Sequence, residues 1–177
     1  MRKALVLGMG DSAKQIDIRG MRTAIRSLLV SLAALAVPCV AQAATRVSYQ
    51  AGSEQQVLVL LNQIRRQHGL PALAFSTPLR AAARGHSADM LQKGYFDHNS
   101  PAEAWDTRIL GYVTSSTVGE TIARGRGSSG SPAGIVNQWM HSVLHRHVIL
   151  NGGLRFVGIG VAVGTPGAVM ATADFAA

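Results

Sequence analysis

The chain has 177 residues, with 17 Lys/Arg against nine Asp/Glu for a formal charge of +8, 47% apolar and 15% charged residues. This composition excludes a disordered chain, and the length points to one domain with a substantial core. Only 5% of residues are aromatic and the arginines are scattered, which argues against a nucleic-acid-binding surface.

Met21 to Ala43, MRTAIRSLLVSLAALAVPCVAQA, reads as a secretory signal. Arg22 and Arg26 form its basic start, Ser27 to Val37 its apolar core, and Ala41-Gln42-Ala43 a small-x-small cleavage site. The apolar core is far shorter than the roughly 20 residues a membrane-spanning helix needs. A signal begins at its own methionine, so residues 1–20 are expected to be a misassigned extension. The single cysteine, Cys39, lies inside the signal and follows Pro38, where a lipoprotein signal wants a small residue. Cleavage after Ala43 leaves a chain without cysteine, which must rely on its core alone and suits a bacterial periplasm or medium. Six of the Lys/Arg and two of the Asp/Glu precede residue 44, so 11 against seven remain and the mature chain carries +4. No transmembrane segment is expected in it.

Residues 44–53 are expected to be a loose lead-in and residues 54–177 the folded domain. SEQQVLVLLNQIRRQHGLP opens with a capping box, Ser53 with Gln56, presents Val57, Leu61 and Ile64 on one face, and stops at Gly69 and Pro71. A second helix starts at Thr77-Pro78, carries Leu79, Ala82, Ala83, His86 and Met90 on one face, and ends near Gly94. YFDHNSPAEAW is irregular, and a short helix follows around Ala104 to Leu110. GYVTSSTVGETIARGRGSSGSP reads as loop with a short strand near Glu120. Ser131-Pro132 starts a third long helix, whose core-facing residues are Ile135, Val136, Trp139 and Val143. RFVGIGVAVG, a turn at Thr165-Pro166-Gly167, and AVMATADF form an antiparallel hairpin in which Val157, Ile159 and Val161 face one side. Helices first and a hairpin last give an α+β domain with helices covering a small antiparallel sheet.

HSVLHRH places three of the six histidines in seven residues, with His141 and His145 four apart. A helical H-E-x-x-H zinc protease puts a glutamate after the first histidine, as general base, but here that position is Ser142. A serine hydrolase would use Ser142 or Ser87, but the chain has no G-x-S-x-G elbow. The cluster gains chemical sense from distant partners. His98 lies in the irregular stretch and Glu120 in a Gly-flanked segment, both free to face a cleft. His86, on the apolar helix face, is read as a buried, hydrogen-bonded structural residue.

In order and spacing, HSADMLQKGYFDHNSP, GETIARG, WMHSVLHRHVIL and VGIGVAV resemble the bacterial branch of the CAP superfamily. This family unites cysteine-rich secretory proteins, antigen 5 and pathogenesis-related proteins, and its domain is also called SCP. The resemblance spans roughly residues 54–175. It implies a three-layer α-β-α sandwich with a small antiparallel central sheet and a cleft holding two histidines and two acids. By motif these fall on His98, Glu120 and His145, while the second acid falls near Ser142, where none stands. Ser142 and His141 are accessory candidates. Thr121, Val143-Leu144, Val148 and Thr172-Ala173 depart from the family pattern.

Two functions follow from the resemblance. The first is a secreted, monomeric binding module of the envelope or extracellular space, taking a lipid, a polysaccharide or a protein and using no required cofactor. The second is a metal-dependent hydrolase of peptide or cell-wall bonds, with zinc or another divalent cation on His98, His145 and Glu120.

Overall fold

The computed structural model describes residues 46–177. The signal at 21–43, Cys39 and the expected extension at 1–20 lie outside the described residues. Among the described residues no helix is long and apolar enough to cross a membrane.

The hairpin forms as the alternation requires. β4 (Phe156–Gly164) and β5 (Ala168–Ala176) pair antiparallel from Phe156↔Ala176 to Gly164↔Ala168. Val157, Ile159 and Val161 enter the main core with Val57, Leu61, Ile135 and Trp139. Gly158 and Gly160 turn to the other face, against α2 (Thr77–Lys93). A Cβ on Gly158 would stand 1.9 Å from the backbone nitrogen of Arg80, and one on Gly160 would stand 2.4 Å from that of Arg84. The glycines therefore let the backbone of α2 lie directly on the sheet, and both faces of β4 are buried.

The sheet order is β1-β4-β5-β3, with β2 also on β4. β1 (Ser48–Tyr49) runs antiparallel to β4, and the two-residue β2 (Ala74–Phe75) adds one short parallel pair to the expected antiparallel sheet. β3 (Val118–Gly125) pairs with β5 along its whole length. That segment was expected to be mostly loop. Its small residues instead find a small-residue partner strand in β5, where Ala171, Thr172 and Ala173 oppose Ala123, Ile122 and Thr121. Helix α2 covers one face of the sheet, and α1 (Ala51–Gln67) and α4 (Pro132–His141) cover the other. The result is an α+β three-layer sandwich. The short α3 (Trp105–Leu110) packs Ile109 against Leu79 and Ala176 in a second apolar cluster.

Three local expectations are corrected. Helix α1 begins at Ala51 with Gln50 as a cap lacking a side-chain bond, so Ser53 is inside it and the lead-in already contains β1. Glu54 anchors this end: buried, it accepts from Arg84 Nε at 2.8 Å and from the Val161 amide at 3.2 Å. In α2 the cap is Ser76, whose Oγ accepts from the Leu79 amide at 3.4 Å, with Thr77 and Pro78 in the first turn. Gly94 ends the helix at φ 72°, a left-handed conformation that glycine adopts without Cβ strain.

The third correction positions the site. The long helix breaks at Ser142, whose φ of −87° and ψ of 122° are extended, and α5 (Val143–Ile149) restarts beyond it. Ser142 Oγ caps α5 by accepting from the His145 amide at 3.4 Å. The break turns Val143 outward, 70% exposed, instead of into the core. Arg65 of α1, fully buried, fastens the far end of α5. It donates to the carbonyls of Ile149 (2.7 Å), Asn151 (3.0 Å), Leu154 (3.1 Å) and Pro71 (2.9 Å). Burial, then Arg155, lowers its pKa. Carbonyls at a helix end offer the partial negative charge that such a guanidinium needs.

Candidate functional site

The loop after α2 is held by its own short polar side chains. Asp97 Oδ1 accepts from the Asn99 amide at 2.8 Å, and Asn99 Oδ1 accepts from the Trp105 amide at 3.1 Å. His86 of α2 reaches the loop, with Nε2 2.9 Å from the Asp97 carbonyl. Arg108 of α3 donates to the His98 carbonyl at 3.2 Å. These bonds present the His98 side chain to a cleft of about 440 Å³, whose walls include Trp105, Val118, Leu144 and Val148.

His98, Glu120 and His145 come together there from a loop, β3 and α5. His98 Nδ1 is 2.7 Å from Glu120 Oε1, and His98 Nε2 is 3.4 Å from His145 Nε2. The two rings stand edge to face, 5.5 Å between centroids. A carboxylate only accepts, so His98 Nδ1 donates to Glu120, and in the neutral ring the Nε2 lone pair then faces His145 and the cleft. Burial, and then the neighbouring His98, lowers the pKa of His145, while Glu120 acts in the opposite sense.

Glu120 is the hub. It is buried, and its second oxygen is bonded by Arg108 Nη2. Directly across the strand pair stands Asp174 of β5, fully buried, with Oδ1 3.9 Å from the same guanidinium nitrogen. Burial first, and Glu120 second, raises the pKa of Asp174 well above the usual carboxyl value, with Arg108 pulling the other way. His86 Nε2 lies 4.0 Å from Glu120 Oε2. Burial lowers the pKa of His86, opposed chiefly by Glu120. Its bond to Asp97 is the structural role assigned to it from sequence.

Arg108 and Asp174 were missed by sequence reasoning. The motif places a second acid near Ser142 on the helix, whereas the buried carboxyl stands on β5. The available signal was Asp174 itself, the one ionisable residue of its strand. Arg108, on a short helix beside polar loops, gave none. The accessory candidates lie elsewhere: Ser142 caps α5, and His141 is exposed with Nδ1 2.8 Å from the Asn137 carbonyl of its own helix. His147 borders a separate hollow with Val143 and Arg146.

Two imidazole nitrogens on one tetrahedral zinc stand about 3.3 Å apart, given bonds of about 2.0–2.1 Å. The His98–His145 separation of 3.4 Å matches that span. Glu120 does not share the point, because it holds the opposite nitrogen of His98. Among the described residues no group of three His, Cys, Asp or Glu side chains is placed to hold an ion. The site thus fits a two-nitrogen hold with Glu120 as the carboxylate behind one ligand, and not the three-ligand set expected from the resemblance.

The cysteine-rich secretory protein family, CAP, matches residues 58–175 of the chain. The chain is 37% identical over 109 residues to Uncharacterized protein YkwD of Bacillus subtilis (strain 168), covering 60% of this chain. It is 38% identical over 114 residues to Uncharacterized membrane protein YlbC of the same organism, covering 63% of this chain. It spans only 41% and 32% of the length of these two relatives. Among solved structures, it resembles an extracellular protein containing a SCP domain from Bacillus anthracis str. Ames. The identity there is 33% and the TM-score 0.61, over 71% of this chain and 40% of that one.

Proposed function

The chain belongs to the cysteine-rich secretory protein family, CAP, and from that premise we propose that it is a secreted, monomeric binding module of the bacterial envelope or extracellular space. The observation that carries this reading is the bonding of His98. One ring nitrogen is tied to a buried carboxylate and the other faces His145 across an open cleft with apolar walls. Such a site offers a ligand a fixed acceptor, a second imidazole of lowered pKa, and apolar contact with Trp105, Leu144 and Val148. A lipid, a polysaccharide or a protein segment can each combine a polar group with an apolar body of this kind.

The test is imidazole NMR of the mature protein with three probes: phosphatidylglycerol vesicles, soluble peptidoglycan fragments and a tryptic peptide mixture. At least one should perturb the His98 and His145 signals and lose its effect in His98→Ala. If none perturbs either ring, the binding reading fails.

The second reading, a metal-dependent hydrolase, is favoured by the 3.4 Å nitrogen pair. His98 and His145 would hold the ion, which when bound would supply a Lewis acid and an activated water. Glu120 would fix the His98 ring and Arg108 would fix Glu120. Calorimetric zinc titration, followed by peptide and peptidoglycan turnover assays, separates the readings. Tight stoichiometric zinc that is lost in His145→Ala, together with turnover, would establish the hydrolase. Intact substrates in the zinc-loaded protein leave the binding module.

A further inference from the structure

The geometry points to Asp174 as a positioning residue of the cleft, whose carboxyl group donates a hydrogen bond to the Glu120 carboxylate and so holds the acceptor that orients His98. Asp174 and Glu120 are paired in register on β5 and β3. On its other side Asp174 opposes Gly158 of β4, which brings no side chain.

As a carboxylate, Asp174 would be fully buried with no donor on either oxygen. The nearest cation, Arg108, gives its hydrogen bond to Glu120 and stays 3.9 Å away. A buried charge left without hydrogen bonds is strongly unfavourable. As a carboxylic acid, Asp174 carries one O–H and has one natural acceptor, Glu120, its register partner on β3. Glu120 has room for this bond: His98 Nδ1 approaches one oxygen and Arg108 Nη2 the other, and a carboxylate offers about four lone-pair sites.

The charged and titratable groups around the pair come from every neighbouring element: His86 of α2, Tyr95 and His98 of the loop, Arg108 of α3 and His145 of α5. Only Arg108 among them is a permanent cation, so the cluster balances with one carboxylate and not two. Asp174 thus supplies a second acid from β5 and not from the helix around Ser142, and it acts through Glu120 without lining the cleft itself.

The inference rests on the cleft reading only for its purpose, because its readout needs no ligand. Histidine-selective ¹⁵N NMR at neutral pH reports which ring nitrogen of His98 bears the proton. Wild type should show protonated Nδ1 and bare Nε2. Asp174→Asn, whose amide also donates, should keep that signature, and the isosteric Asp174→Leu should lose it to a mixture of tautomers. A folded Asp174→Leu with the wild-type signature overturns the proposal, as does a folded Asp174→Asn that loses it. Should Asp174→Leu fail to fold, the ¹³C shift of the Asp174 carboxyl in the wild type decides. A protonated group at pH 6 supports the assignment and an ionised one overturns it. The ligand probes can all fail while these results stand, so the two readings fall separately.

Discussion

His98 and His145 meet with ring nitrogens 3.4 Å apart although 47 residues separate them in the chain. Their meeting depends on Glu120, which bonds His98 from behind while Arg108 bonds Glu120 and also the His98 backbone. Removing Glu120 would leave a buried guanidinium without its carboxylate. Glu120→Ala should therefore cost about 3–5 kcal/mol, the scale for breaking one partner of a buried pair. Urea unfolding checks it, and a loss well below 1 kcal/mol would show that Glu120 is not the hub.

The close approach of α2 to the sheet predicts intolerance at Gly158. A methyl group there would overlap helix backbone, which cannot swing aside as a side chain can. Gly158→Ala should cost at least about 1–3 kcal/mol, the range for overpacked cores. An unchanged melting temperature would mean that helix and sheet stand further apart than described.

Ile159, 1% exposed, lies in the core on the opposite face of the same strand. Ile159→Asp would bury a carboxylate among aliphatic groups and should prevent folding. The outcome is read from soluble expression and circular dichroism. A soluble variant that melts cooperatively would sink the placement of β4.

The histidines set an acid limb. The folded-state pKa values of His86 and His145 are lowered chiefly by burial, so the unfolded chain binds more protons between those values and the unfolded value of about 6.5. Stability is complete above about pH 6.5, falls as pH drops from there to the lowered values, and levels off below them. His145→Gln should flatten that limb in melting temperatures measured from pH 8 to 4.5. An unchanged slope would show that His145 does not titrate differently on folding. Asp174 has the opposite sign. Its raised value makes stability decline as pH rises from the unfolded carboxyl range, so Asp174→Asn should gain on the wild type with rising pH.

Export should remove everything through Ala43 or Ala44. Intact mass of the secreted form is the check, and a mature protein that keeps Met21 or Cys39 would refute the signal assignment.

What the sequence determines by itself is local. Ser131-Pro132 starts a helix, Gly94 stops one, and alternating Val157, Gly158, Ile159 and Gly160 make a strand with one bulky and one bare face. Each signal acts through bonds or contacts within a few residues, so each is legible without the fold. His98, Glu120 and His145 are legible another way, through motifs whose order and spacing resemble a known family.

Tertiary structure decides the rest. Helix α1 starts at Ala51 and not at the capping box because buried Glu54 finds Arg84 and the Val161 amide across the fold. Val143 faces outward because Ser142 breaks the helix between two packed segments. Glu120 became the partner of Asp174, and stands behind His98 instead of beside His145, only when β3 and β5 took their register. A slip of β3 by one residue against β5 would turn Glu120 to the face opposite Asp174, and no run of neighbouring residues encodes that choice. Register is set by the summed burial of two strands and the helices on them, a property of the whole domain.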